Sequence, residues 1–161
     1  MNRAEQAIAT RVALDAALLQ ALAWSAERGS RRVWLTDPDF ADWPLDAPAW
    51  IDALTSWVQQ PQRRLTLIAQ HFDEVPRRHP RFTQWRRTWG HAVEAFVPVS
   101  AGIAVPTVLV DDGPVLLEVL AGTQLRGRLR CDAQAARHCR DEIDALQQRS
   151  AAAFASTVLG I

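Results

Sequence analysis

The densest group of side chains able to do chemistry lies in the stretch QHFDEVPRRHP, where His71, Asp73, Glu74 and His79 fall within nine residues. Imidazole and carboxylate together suit a divalent cation. The two histidines stand eight apart with Pro76 between them, a spacing that matches no metal motif, and Arg77 and Arg78 would oppose a cation. Asp37, Asp39, Asp42 and Asp46 form a second acidic group, but Asp beside Pro is ordinary turn chemistry. The candidate ligand-binding residues are Arg77, Arg78, Arg81, Arg86 and Arg87, interleaved with Trp85 and Trp89. Such a mixture can grip phosphates and stack bases, as single-stranded nucleic acid requires. Against this stands burial, since Phe82, Trp85 and Trp89 repeat at helical intervals and would occupy a core face. Arg126, Arg128 and Arg130 alternate, so they can share one face of a strand, as an anion cradle or as charges guarding an exposed edge.

Several mechanisms are excluded by composition. All 18 basic residues are arginine, and the chain has neither lysine nor tyrosine. Schiff-base chemistry, pyridoxal phosphate attachment and a phosphate-binding loop all need a lysine amine, which arginine cannot replace near neutral pH. No Gly-x-Ser-x-Gly elbow occurs. His91 and His138 read as surface or core residues rather than bases. Cys131 and Cys139, eight apart on what reads as one helix or its start, suit neither a disulfide framework nor a zinc pair. No catalytic residue, metal or cofactor is therefore nominated. The 18 acidic residues balance the arginines, so no global field draws the chain to nucleic acid or anionic lipid.

These residues must be positioned by a chain of 161 residues, 48% of them hydrophobic, which is the size of one domain with a real core. Helical periodicity runs from Ala4 to Arg28, with a possible break near Thr10 to Leu14, and Gly29 closes it. Arg32 to Thr36 reads as a strand, Trp50 to Val58 as one helix face stopped by Pro61, and Arg64 to Gln70 as a second buried strand. Residues 72 to 90 read as one arginine-rich helix. A strand over Val93 to Val99 follows. Then Pro106 to Val110 and Val115 to Leu120 flank the turn DDGP as a hairpin, before a strand over Leu125 to Arg130. Asp132 caps a closing helix expected from Ala133 to about Leu159. The fold class is α/β, a mixed sheet of about five to six strands with helices on both faces, in a single domain over 1–161. Charges within the first helix argue against a signal peptide, and the longest uncharged run, Ala95 to Val110, is broken by Pro98 and Pro106. A cytoplasmic protein without a membrane segment is expected. Trp34, Trp50 and Trp57 fit core positions, whereas Trp43, in a loop, is expected to be exposed.

With these elements in this order, the chain resembles one half of the phospholipase D-like fold. LAWSAERGSRRVWLTDPDF followed by RRLTLIAQ resembles its opening helix and strands. VPTVLVDDGPVLLEV resembles the hairpin that carries the superfamily's signature, and DEIDALQQRSAAAFASTV its closing helix. RVWLTDPDFADWPLD with HPRFTQWRR is similar to a bacterial domain of this fold sometimes appended to acetyltransferases. Family enzymes attack phosphodiesters with a histidine, hold the phosphate with a lysine two residues later, and place an aspartate after four intervening residues. If Asp112-Gly113 is the family's Asp-Gly turn, Val105 and Thr107 stand at the histidine and lysine positions; shifted by one, Ala104 and Pro106 do. Neither register carries the signature. The resemblance thus implies a degenerate, non-catalytic binding or assembly module. Fold relatives pair about a two-fold axis, and the apolar tail Ala151 to Ile161 supports self-association, so a homo-oligomer, or a protein partner such as an acetyltransferase, is expected. Phosphate or nucleic-acid binding through Arg77 to Arg87 is the first alternative, and a metal-dependent hydrolase using His71 or His79 the second.

Overall fold

The computed structural model describes residues 5–154. In chain order the elements are β1 (Gln6–Ile8), α1 (Arg11–Glu27), β2 (Arg32–Thr36), α2 (Pro48–Val58), β3 (Arg64–Ile68), α3 (Glu74–Arg78), α4 (Pro80–Thr88), β4 (Val93–Pro98), β5 (Thr107–Asp111), β6 (Val115–Leu120), β7 (Arg126–Cys131), α5 (Ala133–Gln148) and β8 (Ser150–Ala152). One eight-stranded sheet has the order β1-β7-β6-β5-β2-β3-β4-β8. Strands β2, β3 and β4 run parallel, joined by helical crossovers, and the remaining pairs are antiparallel.

Period-two alternation decides which layer each strand residue joins. Val33, Leu35, Leu65, Leu67, Val93, Ala95, Leu109, Leu117 and Leu129 pack with the buried residues of α1, α2 and α4 in the larger core. Ile68, Val108, Val110 and Leu116 point the other way and meet Ala136, Ile143 and Leu146 of α5. The central strands are apolar on both sides, as a covered parallel sheet requires. Helix starts follow local chemistry. Thr10 accepts a hydrogen bond from the Ala13 N–H at 3.1 Å, Pro48 opens α2, and Asp132 Oδ1 accepts from the Gln134 and Ala135 N–H groups at 3.1 and 3.0 Å.

The mixed sheet with helices on both faces agrees with the sequence reading, but the sheet has eight strands rather than five to six. Both extra strands lie inside segments expected to be helical. β1 precedes the Thr10 cap, and β8 begins once α5 has ended at Gln148, well short of Leu159. Each is recruited by a free sheet margin: Gln6 to Ile8 pairs with β7, and Ser150 to Ala152 with β4. Residues 72 to 90 are not one helix, because Pro80 lacks the N–H that would continue α3 and His79 turns the chain at φ −129°, ψ 63°. Trp43, expected to be exposed, is buried edge-on between Phe40 and Trp50. The part of the apolar tail from 155 to 161 lies outside the described residues.

Candidate functional site

The β5–β6 hairpin is built around a fully buried carboxylate. Asp111 Oδ1 accepts from the Gly113 and Val115 N–H groups at 2.8 and 3.1 Å, while Oδ2 accepts from Ser30 Oγ at 2.7 Å. Arg28 Nε stands 3.8 Å from the same oxygen. Asp112, in contrast, is exposed and accepts from the Arg31 N–H at 3.2 Å. Ahead of the strand, Val105 is buried and Thr107 Oγ1 donates to Asp37 Oδ1 at 2.6 Å. Ala104 and Pro106 are exposed and line a groove. The structural aspartate of this hairpin is therefore Asp111, and the two positions that precede it on the groove side hold a methyl group and a pyrrolidine ring.

This groove, about 600 Å³ in volume, runs between one flank of α5 and strands β6 and β7. Its apolar floor includes Val108, Leu116, Ile143 and Leu146. Along the sheet, Glu118 Oε1 accepts from Arg128 Nε at 2.8 Å and Arg130 Nη2 at 3.2 Å, and Arg130 also reaches Asp132 at 3.7 Å. The hydrogen bond to Glu118 raises the Arg128 pKa. On the helix, His138 Nε2 lies 2.8 Å from Glu142 Oε1. Arg149 closes the far end with no ion pair among the described residues. Burial, with Glu118 and Glu142 adding to it, pushes the Cys139 thiol up to about 12, so at neutral pH this wall is an uncharged S–H. Helix α5 is held over the sheet by Arg140, whose Nη1 donates to the Asp111 and Gly113 carbonyls at 2.7 and 2.8 Å.

The residues singled out in the sequence are placed differently. Arg77 and Arg78 pair with Glu74 at 3.3 and 3.1 Å, and Arg78 also reaches Asp42 at 3.5 Å. Arg81 and Arg87 are exposed on α4, whereas Arg86 is buried, its pKa lowered by burial, and donates to the Phe154 carbonyl at 3.3 Å. The five arginines thus do not form one surface. His79 is buried with Nε2 at 2.9 Å from the Phe40 carbonyl, and His71 is exposed, 3.8 Å from Asp73. Among the described residues no three of His, Cys, Asp or Glu lie close enough to hold a metal. The aspartates of residues 37 to 46 serve turns and caps: Asp37 Oδ2 accepts from the Asp39 and Phe40 N–H groups, Asp39 from Ala41, and Asp46 from the first turn of α4.

Arg126, Arg128 and Arg130 do not guard an exposed edge, because β1 lies outside β7. Cys131 and Cys139 pack against different cores, on opposite sides of the sheet. Sequence reasoning missed the groove. The signal was Glu118, a lone charge in the apolar strand VLLEVL, whose partner appears only when β6 is registered so that Glu118 faces Arg128. Among the described residues no helix is long and apolar enough to cross a membrane.

No family model and no curated protein matches the sequence. Solved structures do. TrmBL2, an archaeal chromatin protein described as showing a novel mode of DNA binding, superposes with a TM-score of 0.66 at 9% identity, covering 94% of this chain and 55% of its own. This chain therefore spans about half of that neighbour's length. Nuc, a phospholipase D family member from Salmonella typhimurium, matches with a TM-score of 0.54 at 9% identity over 93% of this chain and 97% of its own. NucT from Helicobacter pylori gives 0.55 at 8% identity over 93% and 99%. At such identities the likeness is one of architecture, and it establishes that this chain has a phospholipase D-like fold.

Proposed function

We propose that the protein is a non-catalytic binding and assembly module whose working surface is the groove between α5 and β6–β7. One observation carries this reading: the groove-facing positions ahead of Asp111 are Ala104 and Pro106, neither of which can attack a phosphorus atom or hold a phosphate. Lysine is missing from the whole chain, so no other segment of it supplies the ammonium that the family's chemistry uses. The strongest internal charges, Glu118 with Arg128 and Arg130, neutralise one another instead of facing an empty centre. Pairing of two copies carries over from the fold resemblance, as does a partner such as an acetyltransferase. Incubation with bis(p-nitrophenyl) phosphate tests the chemistry: release of nitrophenol no faster than in buffer is expected, and turnover abolished by Glu118→Gln or His138→Ala overturns the reading. Light scattering after size-exclusion chromatography tests assembly. A dimer at tens of micromolar is expected, and a clean monomer removes that part.

A second reading has its own support. Arg81 and Arg87 stand exposed on α4 with no side-chain ion pair among the described residues. The DNA binding ascribed to TrmBL2, which shares this architecture, supports this reading. Salt-sensitive binding of single-stranded DNA or RNA, lost in Arg81→Ala with Arg87→Ala, is the expected result; no binding at low salt overturns it. Arg86, being buried, would act only by supporting the helix.

A further inference from the structure

The groove's charged groups are partnered along most of its length and unpartnered at one end. Arg128 and Arg130 are met by Glu118 and Asp132, and Glu142 is engaged by His138. Arg149 alone among the groove-lining arginines has no acidic partner among the described residues; it is exposed and lines the groove together with Ala104 and Pro106. Between Arg149 and His138 the helix rises about 16 Å. Over that length α5 offers Leu146, Ile143 and Cys139 to the groove, with Val108 and Leu116 beneath, and the one carboxylate it brings there, Glu142, stands beside His138.

Hydrocarbon floor plus one uncompensated guanidinium is a complementarity for a particular kind of molecule. A single guanidinium matches a planar carboxylate through two parallel N–H···O bonds. A phosphate dianion would carry twice the charge of that guanidinium and would want donors from several directions. A neutral chain would bury its apolar body equally well but leave Arg149 unused. Ligand sites are commonly apolar concavities of a few hundred cubic ångströms with one or two polar anchors, and the groove falls in that range.

We propose that the groove takes an amphipathic monoanion, an unbranched hydrocarbon bearing one carboxylate, with the carboxylate on Arg149 and the chain along Leu146, Ile143 and Cys139. This rests on the reading of the groove as a binding surface and adds the chemical class of its occupant.

Titration calorimetry of the full chain with decanoate, octyl phosphate and decanol tests it. Decanoate is expected to bind with one site per chain, at least tenfold more tightly than decanol or octyl phosphate. Arg149→Gln should weaken decanoate about tenfold or more and leave decanol unchanged. Ala145→Glu, which adds a negative charge at an exposed position lining the groove, should act in the same direction, so a folding defect in one variant does not decide the outcome. Decanol binding as tightly as decanoate, octyl phosphate binding more tightly, decanoate affinity unchanged in both variants, or no decanoate heat at millimolar concentration each overturns the inference. None of these results produces nitrophenol, so failure of the ligand class and failure of the non-catalytic reading are separate observations.

Discussion

Thr107 Oγ1 donates to Asp37 Oδ1 at 2.6 Å, across 70 residues of sequence, and ties the start of β5 to the turn that ends β2. Asp37 spends its other oxygen on the Asp39 and Phe40 N–H groups, so one nearly buried carboxylate organises a turn and anchors a strand. Thr107→Val removes a donor and leaves Oδ1 unmatched. It should cost about 1–3 kcal/mol, read as a lower urea midpoint at unchanged slope.

The two possible registers of the hairpin predict opposite tolerances. Ala104→His with Pro106→Lys places long polar side chains at exposed positions on the groove and should change stability by no more than about 1 kcal/mol. Val105→His with Thr107→Lys forces a polar ring into a buried site and breaks the bond to Asp37. That pair should lose more than about 3 kcal/mol. Equal melting curves for the two double variants would contradict the placement of these four side chains.

Gly127 sits in β7 between β1 and β6, opposite both Ile8 and Val119. A Cβ built there would lie 2.9 Å from the Glu118 carbonyl oxygen, which is backbone, and 3.6 Å from Ile8 Cβ. Gly127→Ala should therefore shift strands rather than a side chain, at about 1–3 kcal/mol. Amide exchange at β1 should accelerate more than at β2.

Burial raises the Asp15 carboxyl pKa above its ordinary 3.8, with Arg11 offsetting part of the rise. The folded state thus holds this proton more tightly than the unfolded chain, and the charged form destabilises the fold once the pH exceeds the folded pKa. Asp15→Asn should raise Tm at pH 7, and the gain should vanish by about pH 3, where Asp15 is protonated in both states. A gain that persists undiminished at the lower pH would show that charge is not its cause.

With its pKa pushed up to about 12, Cys139 has a thiolate fraction of about one in ten thousand at pH 8. Iodoacetamide should leave it unmodified in the folded protein and alkylate it in denaturant, as mass spectrometry of peptides reports. Because the sheet stands between them, an oxidant should not link Cys139 to Cys131 within one folded chain.

The central strands are legible because RVWLT and RLTLI combine β-branched residues with apolar alternation that survives any reasonable tertiary context. QAI and SAA carry no such pattern. Their three residues become strands only because β7 and β4 present free backbone groups beside them, a tertiary cause that local composition does not encode. The break at His79–Pro80 was available in the sequence from the proline alone. The groove is harder to read. Glu118 and Arg128 lie ten residues apart, and Arg149 lines the same groove only because α5 crosses the sheet on the face that β6 and β7 share. The five-arginine cluster misleads for the converse reason. Proximity in sequence does not survive a helix break, and Arg86 turns inward where its neighbours turn out.

The bonds from Arg140 to the Asp111 and Gly113 carbonyls have a consequence for selectivity. They join the wall of the groove to a turn that is itself locked by the buried Asp111, so no flexible loop sets the distance between α5 and β6 near that end. A thicker occupant could spread the two walls only by surrendering those bonds, at about 1.5–3 kcal/mol each for a charged donor. On the proposed role the groove would be a slot of fixed gauge, sorting molecules by breadth before any charge is compared.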